Sequence, residues 1–342
     1  MSFSHYAMDS NMDSYQFANS STAPTSIPSQ NSDSFGERVG VTVYVGLLAV
    51  VGFVGNILVI VSVAISPRLR TTSYAFIVNL SVADLLINVF VIPAIGVSFF
   101  DYGWPHDIFW CRWLCYLFLL CVGVSLLTVT DIAASRYCFV SRPRQTYRKY
   151  FGCKSVAIIL IHNWFVALLF IFIHSWSGIS GIQYHPVLRF CFLKDSGNLE
   201  FWYINFIMIY FLATCFVLIP CLYCLTFRTL YLSQRRVRRQ TAPRSRGSFG
   251  HWRQILHPAE VKLTKMMALI FILLVLCFTP VSIMHFFIVD PIYQRLGVVL
   301  LLTNSSLNPF VYAWLNTHFK KAYKRILLCG KGYRGRVKPL VV

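Results

Sequence analysis

The sequence predicts an all-α fold: a seven-transmembrane-helix bundle with a short amphipathic eighth helix. Three observations predict it. Hydrophobic residues make up 56% of the 342 residues and charged residues 13%, with a mean hydropathy of +0.60, which excludes a soluble globular domain and places most of the chain in a bilayer. A spanning helix needs about 20 apolar residues, and seven runs of that size occur, at 39–65, 73–100, 108–140, 155–176, 201–231, 261–289 and 293–315. Of the 31 Lys and Arg, only Arg38, Arg112, Arg189, Lys194 and Arg295 fall on the other side from the rest. Positive residues collect on the cytoplasmic face, so the N-terminus is expected outside and the C-terminus inside, which requires an odd number of spans.

The elements follow in order. Residues 1–38 are rich in Ser, Asn and Pro without apolar periodicity and are expected to form a disordered extracellular tail. They hold no charged start with an apolar core, so no cleaved signal peptide is expected. Asn19 is the one glycosylation sequon placed outside; Asn79 and Asn304 match the pattern but lie within spans. The seven-span domain covers 39–315. Its third inner loop, about 233–258, is Arg-rich with Pro243 and Gly247 and reads as a flexible linker. Residues 316–342 hold the short basic eighth helix and a cytoplasmic tail, with Cys329 a palmitoylation candidate. The net charge of +19 is divided among loops on one membrane face. It therefore reads as a topology signal that also meets anionic lipid, and no nucleic-acid partner is expected. Most of the eleven cysteines lie inside spans as small hydrophobes. Cys111, at the outer start of the third span, and Cys191, in the second outer loop, both face the oxidising side, so a disulfide between them is expected, with Cys115, one turn below Cys111, the competing partner.

The last span carries Asn308-Pro309-x-x-Tyr312 and passes directly into the basic helix. A proline in a membrane helix frees a backbone carbonyl that only internal polar partners or water satisfy. Asn304, Ser305 and Asn308 therefore argue for a face turned into the bundle. Other spans carry companion motifs: Gly55-Asn56, Leu80-Ser81-Val82-Ala83-Asp84, Ser135-Arg136-Tyr137, Trp164, Pro220 and Cys277-Phe278-Thr279-Pro280, with Trp104 in the first outer loop. Together they resemble the rhodopsin-like G-protein-coupled receptors over about residues 40–330.

Asp84 is a carboxylate at mid-membrane, costly unless paired or hydrated and so a functional candidate by default. Ser125, Asn304, Ser305 and Asn308 supply oxygens from other spans. The resemblance implies that these five form an allosteric sodium-ion pocket; the alternative is a structural polar network around a protonated Asp84. No other cofactor is expected. The resemblance also makes Arg136 and Tyr137, with Glu260 and Tyr312, the activation switch facing a heterotrimeric G protein. The acid that relatives carry before the Arg is Ser135 here. Asp131, one turn outward and roughly 40° round the helix, either replaces it in part or faces the second or fourth span. Arg228 stands where relatives have Tyr, and either adds a cation near Arg136 or reaches out to the inner interface.

The stretches Ile132-Ala133-Ala134-Ser135-Arg136-Tyr137-Cys138 and Gly181-Ile182-Gln183-Tyr184-His185-Pro186 resemble melatonin receptors. The ligand contacts of that family are not kept: the matching positions hold His174, Leu193, Asp195 and Phe216. Phe118 stands where amine receptors carry an Asp, and Leu302 where opsins carry the retinal Lys. Phe118, Val122, His174, Trp176, Phe278, His285 and Val298 are expected to line a mostly apolar, aromatic cavity suited to a small neutral aromatic or lipid-like molecule.

The expected function is that of a plasma-membrane receptor passing a small-molecule signal to a heterotrimeric G protein, by resemblance of the Gi/o class. The alternative is a signalling-silent receptor-fold protein that scavenges ligand or partners another receptor, a reading kept open by Ser135 and Arg228. No nucleophile–base pair or metal cluster faces a common cavity and no repeat halves occur, so neither an enzyme nor a transporter is expected.

Overall fold

The computed structural model describes residues 35–101, 107–177, 181–186, 188–193, 198–240, 258–287 and 291–328. The expected tail up to residue 34, Asn19, Trp104 and Cys329 lie outside the described residues. Seven helices are long and apolar enough to cross a membrane. In chain order the helices are α1 (Phe35–Ile65), α2 (Thr72–Phe100), α3 (Ile108–Ser141), α4 (Arg144–Phe151), α5 (Cys153–Ser177), α6 (residues 198–240), α7 (Pro258–Phe286), α8 (Pro291–Leu315) and α9 (Thr317–Leu327). A hairpin of β1 (Ile182–His185) and β2 (Phe190–Leu193) separates α5 from α6.

Two boundaries differ from expectation. Helix α1 begins at Phe35, so the last residues assigned to the tail are helical. Arg38 Nη1 donates to Phe100 O at 3.0 Å and its guanidinium lies over the Phe35 ring, which ties down that first turn. Helix α6 continues to Gln240, well into the loop expected to be flexible from 233. Gln and Arg are strong helix formers, and propensity carries the helix past the membrane edge.

Burial sorts the helices. In their most apolar stretches 67% of α8 is buried and 17% of α5, so α8 is central while α5 faces lipid with Ile158, Ile161, Phe165 and Phe172. An inner core gathers Phe76, Ile77, Met266, Met267, Tyr312 and Phe319, and an outer one Ile87, Leu114, Phe118, Val298 and Leu302. Two π-turns interrupt the spans, Ile87–Val91 in α2 and Thr214–Leu218 in α6. Each ends two residues before a proline, Pro93 and Pro220. The proline ring clashes with the carbonyl four residues back, and a wider turn relieves it. Gly55 allows α8 to approach: a Cβ there would sit 2.9 Å from the Pro309 ring.

Candidate functional site

The centre of the bundle is polar. Asp84 is 1% exposed and its Oδ2 accepts from Asn308 Nδ2 at 2.8 Å. Asp84, Ser125, Asn304 and Ser305 line one cavity of about 10 Å³, and Phe118, Val122 and Phe278 are part of its larger apolar wall. That is the space one water-sized body takes. Ser125 Oγ, Asn304 Oδ1 and Asn308 Oδ1 are buried without a protein partner among the described residues. A carboxylate and three such oxygens make an all-oxygen donor set, the kind that hard cations take. The residues thus fit a small cation, and the five expected from sequence lie together.

A second belt of side chains holds this centre in place. Asn56 Nδ2 donates to Gly52 O at 2.9 Å and Ser305 O at 3.0 Å. Asn88, in the π-turn of α2, donates to Asp84 O at 2.7 Å and accepts from Ser306 Oγ at 2.9 Å. Gly52 is required beside it, because a Cβ would collide with the Asn88 amide. Asn88 and Ser306 escaped the sequence reading. The signal was present, since Asn88 lies four residues after Asp84 on the same helix face.

At the inner end, Arg136 is 1% exposed. Its Nη1 meets Glu260 Oε2 at 3.2 Å, joining α3 to α7. Its Nη2 donates to Ser73 Oγ on α2, and its guanidinium lies 5.3 Å over the Phe139 ring. Tyr137 is half-buried beside it. Ser135 Oγ pairs with Tyr147 Oη of α4 at 3.4 Å. Asp131 does not reach Arg136: it faces α5 and accepts from Asn163 Nδ2 at 2.8 Å. Arg228 is exposed, which matches the outward of its two expected placements. Tyr312 is fully buried and stacks on Phe319, whose ring docks α9 under the bundle. Ser73 and Tyr147 were not foreseen, since only the tertiary approach of α2 and α4 brings them to α3.

The outer mouth is covered. A disulfide joins Cys111 to Cys191, with Cα atoms 5.4 Å apart, and Cys115 is a free buried thiol, so the competing pairing is excluded. The hairpin pairs Tyr184 with Cys191. Tyr184 Oη meets Ser98 Oγ at 3.0 Å. Phe190, unforeseen although it adjoins Cys191, packs edge-on against Phe118 at 5.4 Å, and both share the outer core with Val298. Phe278 stacks on Phe211 at 4.6 Å. His174 is buried between the rings of Tyr116 and Tyr203. His185 is a further imidazole of the hairpin; burial holds it below its usual titration range, and its Nδ1 accepts from Leu188 N at 3.3 Å.

Trp176 is a correction. It was expected in the cavity, but it is 82% exposed and stacks on lipid-facing Phe172. Two residues turn a helix by about 200°, so with His174 inward Trp176 points out, as tryptophans at a membrane interface do. His285 is helical, and its side chain lies outside the described residues. Of the melatonin-family contact positions, Phe216 is 48% exposed within the π-turn, facing away from the bundle, and Asp195 lies outside the described residues.

Comparison with known proteins agrees with this architecture. The model of the "7 transmembrane receptor (rhodopsin family)" matches residues 55–312. The melatonin receptor type 1A of Mus musculus is 27% identical over 289 residues, covering 82% of this chain and 77% of that protein. The melatonin receptor type 1C of Xenopus laevis is 28% identical, covering 90% and 72%. The allatostatin-A receptor of Bombyx mori is 26% identical, covering 86% and 82%. The crystal structure of squid rhodopsin superimposes with a TM-score of 0.72 at 18% identity, over 88% of this chain and 89% of that one, and shows the shared fold. The seven spans, the outer disulfide and the matched motifs make this multi-pass membrane protein a member of the rhodopsin family of seven-transmembrane receptors.

Proposed function

We propose that the chain receives a small extracellular molecule at the plasma membrane and passes the signal to a heterotrimeric G protein of the inhibitory Gi/o class. The observation that carries this reading is the buried Arg136 bound to Glu260 at 3.2 Å. The pair holds the inner ends of α3 and α7 together, and its release would open a groove between them, a rigid-body switch of the known kind. Tyr312 and Tyr137 are further members of that switch. The Gi/o class is supported by the likeness to melatonin receptors, and the inward-facing C-terminus by the basic inner loops.

The pocket of Asp84, Ser125, Asn304, Ser305 and Asn308 would hold a sodium ion, which supplies a positive charge beside the Asp84 carboxylate and so favours the closed bundle. Phe118, Val122, Phe278 and Val298, with His174, favour a neutral aromatic or lipid-like ligand, since these side chains are apolar or aromatic. Phe190 closes the mouth in this state, so ligand entry displaces it from Phe118. Asn19 and Cys329 are the proposed glycan and palmitate sites, and inner-leaflet lipids meet the basic face of α9.

Ser135 favours a second reading, a signalling-silent protein that scavenges ligand or partners another receptor. A G-protein dissociation panel in cells separates the two: the wild type with ligand, or the Glu260→Ala variant without it, dissociates Gi/o heterotrimers under the first reading. Silence of every variant on every G-protein class supports the second.

A further inference from the structure

The residue that stands in place of the missing acid does not hold Arg136. Ser135 turns to Tyr147 instead. The second arm of the guanidinium goes to Ser73, in the first turn of α2. The two acceptors differ in setting. Glu260 is 36% exposed, so water competes for its carboxylate, whereas Ser73 is buried. Arg136 Nε is buried with no protein partner among the described residues, so the two η nitrogens carry the attachment.

We propose that Ser73 is the positioning residue that holds Arg136 in the closed state in place of the absent neighbouring acid, fastening α3 to α2 while Glu260 fastens it to α7. A neutral hydroxyl holds a guanidinium more weakly than a carboxylate does. The closed state of this chain is therefore easier to leave than that of a receptor with an acid at position 135. The inference rests on the proposed switch role of Arg136 and Glu260, and its test does not need a G protein.

Hydrogen exchange of residues 258–267 in the full chain, held in lipid nanodiscs, reads opening of the inner end of α7. Ser73→Ala speeds that exchange about tenfold, the effect of one lost hydrogen bond to a charged group; Ser73→Thr, which keeps the hydroxyl, leaves it near wild type. Ser135→Asp places a carboxylate beside Arg136, slows exchange by itself, and removes the effect of Ser73→Ala in the double variant. Wild-type exchange in Ser73→Ala overturns the proposal. So does an equal effect of Ser73→Ala with and without Ser135→Asp, which marks a packing defect. Unchanged exchange in Ser135→Asp alone also counts against it, whatever the fate of the Ser73 variants. Faster exchange in Ser73→Ala without basal G-protein dissociation keeps Ser73 as the holder and removes the G-protein reading.

Discussion

Replacing Asp84 by Asn tests the ion pocket. The substitution keeps the shape and the bond to Asn308 but removes the charge. In the wild type, one small cation would meet the carboxylate and the three orphan oxygens Ser125 Oγ, Asn304 Oδ1 and Asn308 Oδ1. Water satisfies the same oxygens without the charge pairing, so the ion-specific gain comes from Asp84. A ligand at ten times its Kd stabilises the native state by about 1.4 kcal/mol. For a chain of this size that raises the apparent Tm by about 2 °C. The smaller sodium ion brings its charge nearer the Asp84 carboxylate, so potassium gives less. The assay is thermal unfolding of the purified chain in sodium, potassium and choline chloride at equal ionic strength. Sodium raises the Tm of the wild type and leaves Asp84→Asn unmoved. Equal wild-type melting in all three salts would refute the pocket, and a sodium effect surviving in Asp84→Asn would place the ion elsewhere.

Two further outcomes follow from the outer face. Melatonin binds at micromolar strength or weaker: Phe216 faces away from the bundle, and His174 is already packed between two tyrosines. Each lost hydrogen bond costs about 0.5–1.5 kcal/mol, and each 1.4 kcal/mol is about tenfold in affinity; saturable nanomolar binding to membranes bearing this chain contradicts the assignment. The hairpin loosens in acid. His185 titrates below its ordinary 6.5 because burial disfavours the imidazolium. The unfolded segment thus binds the proton more readily, so stability is full above 6.5 and is lost as pH falls through the lower folded value. The protection factors of residues 182–193 fall from pH 7.5 to 5.5 once the slowing of base-catalysed exchange in acid is divided out, and His185→Gln flattens that fall; a fall that persists in His185→Gln assigns the effect to another group.

The sequence made the spans legible because hydropathy needs only a window of apolar residues, and Asp84, Asn308, Arg136 and Glu260 stood out as polar groups inside such windows. Facing was harder to read. Helix α5 is apolar round most of its circumference, so its pattern did not say which of His174 and Trp176 turns inward, although their two-residue spacing already put them on opposite faces. The hairpin was hidden because its register follows from the Cys111–Cys191 link and from Tyr184 meeting Ser98, both set by tertiary structure. Ser73 is an ordinary serine at a helix start until α3 brings a buried guanidinium to it. The π-turns had a local cause in Pro93 and Pro220, yet proline alone does not say whether a helix kinks, breaks or widens.

The central claim is that Arg136 and Glu260 gate a G-protein site. The most direct measurement is GDP release from a purified Gi/o heterotrimer by the purified chain in nanodiscs, without ligand. Glu260 is about one-third exposed, so its loss weakens the closed state by about 1–2 kcal/mol, between the values for surface and buried pairs. The account predicts that Glu260→Ala speeds GDP release by about five- to thirtyfold over wild type, and that adding Arg136→Ala abolishes the gain. Release rates equal to those of the heterotrimer alone, for wild type and Glu260→Ala alike, would contradict it.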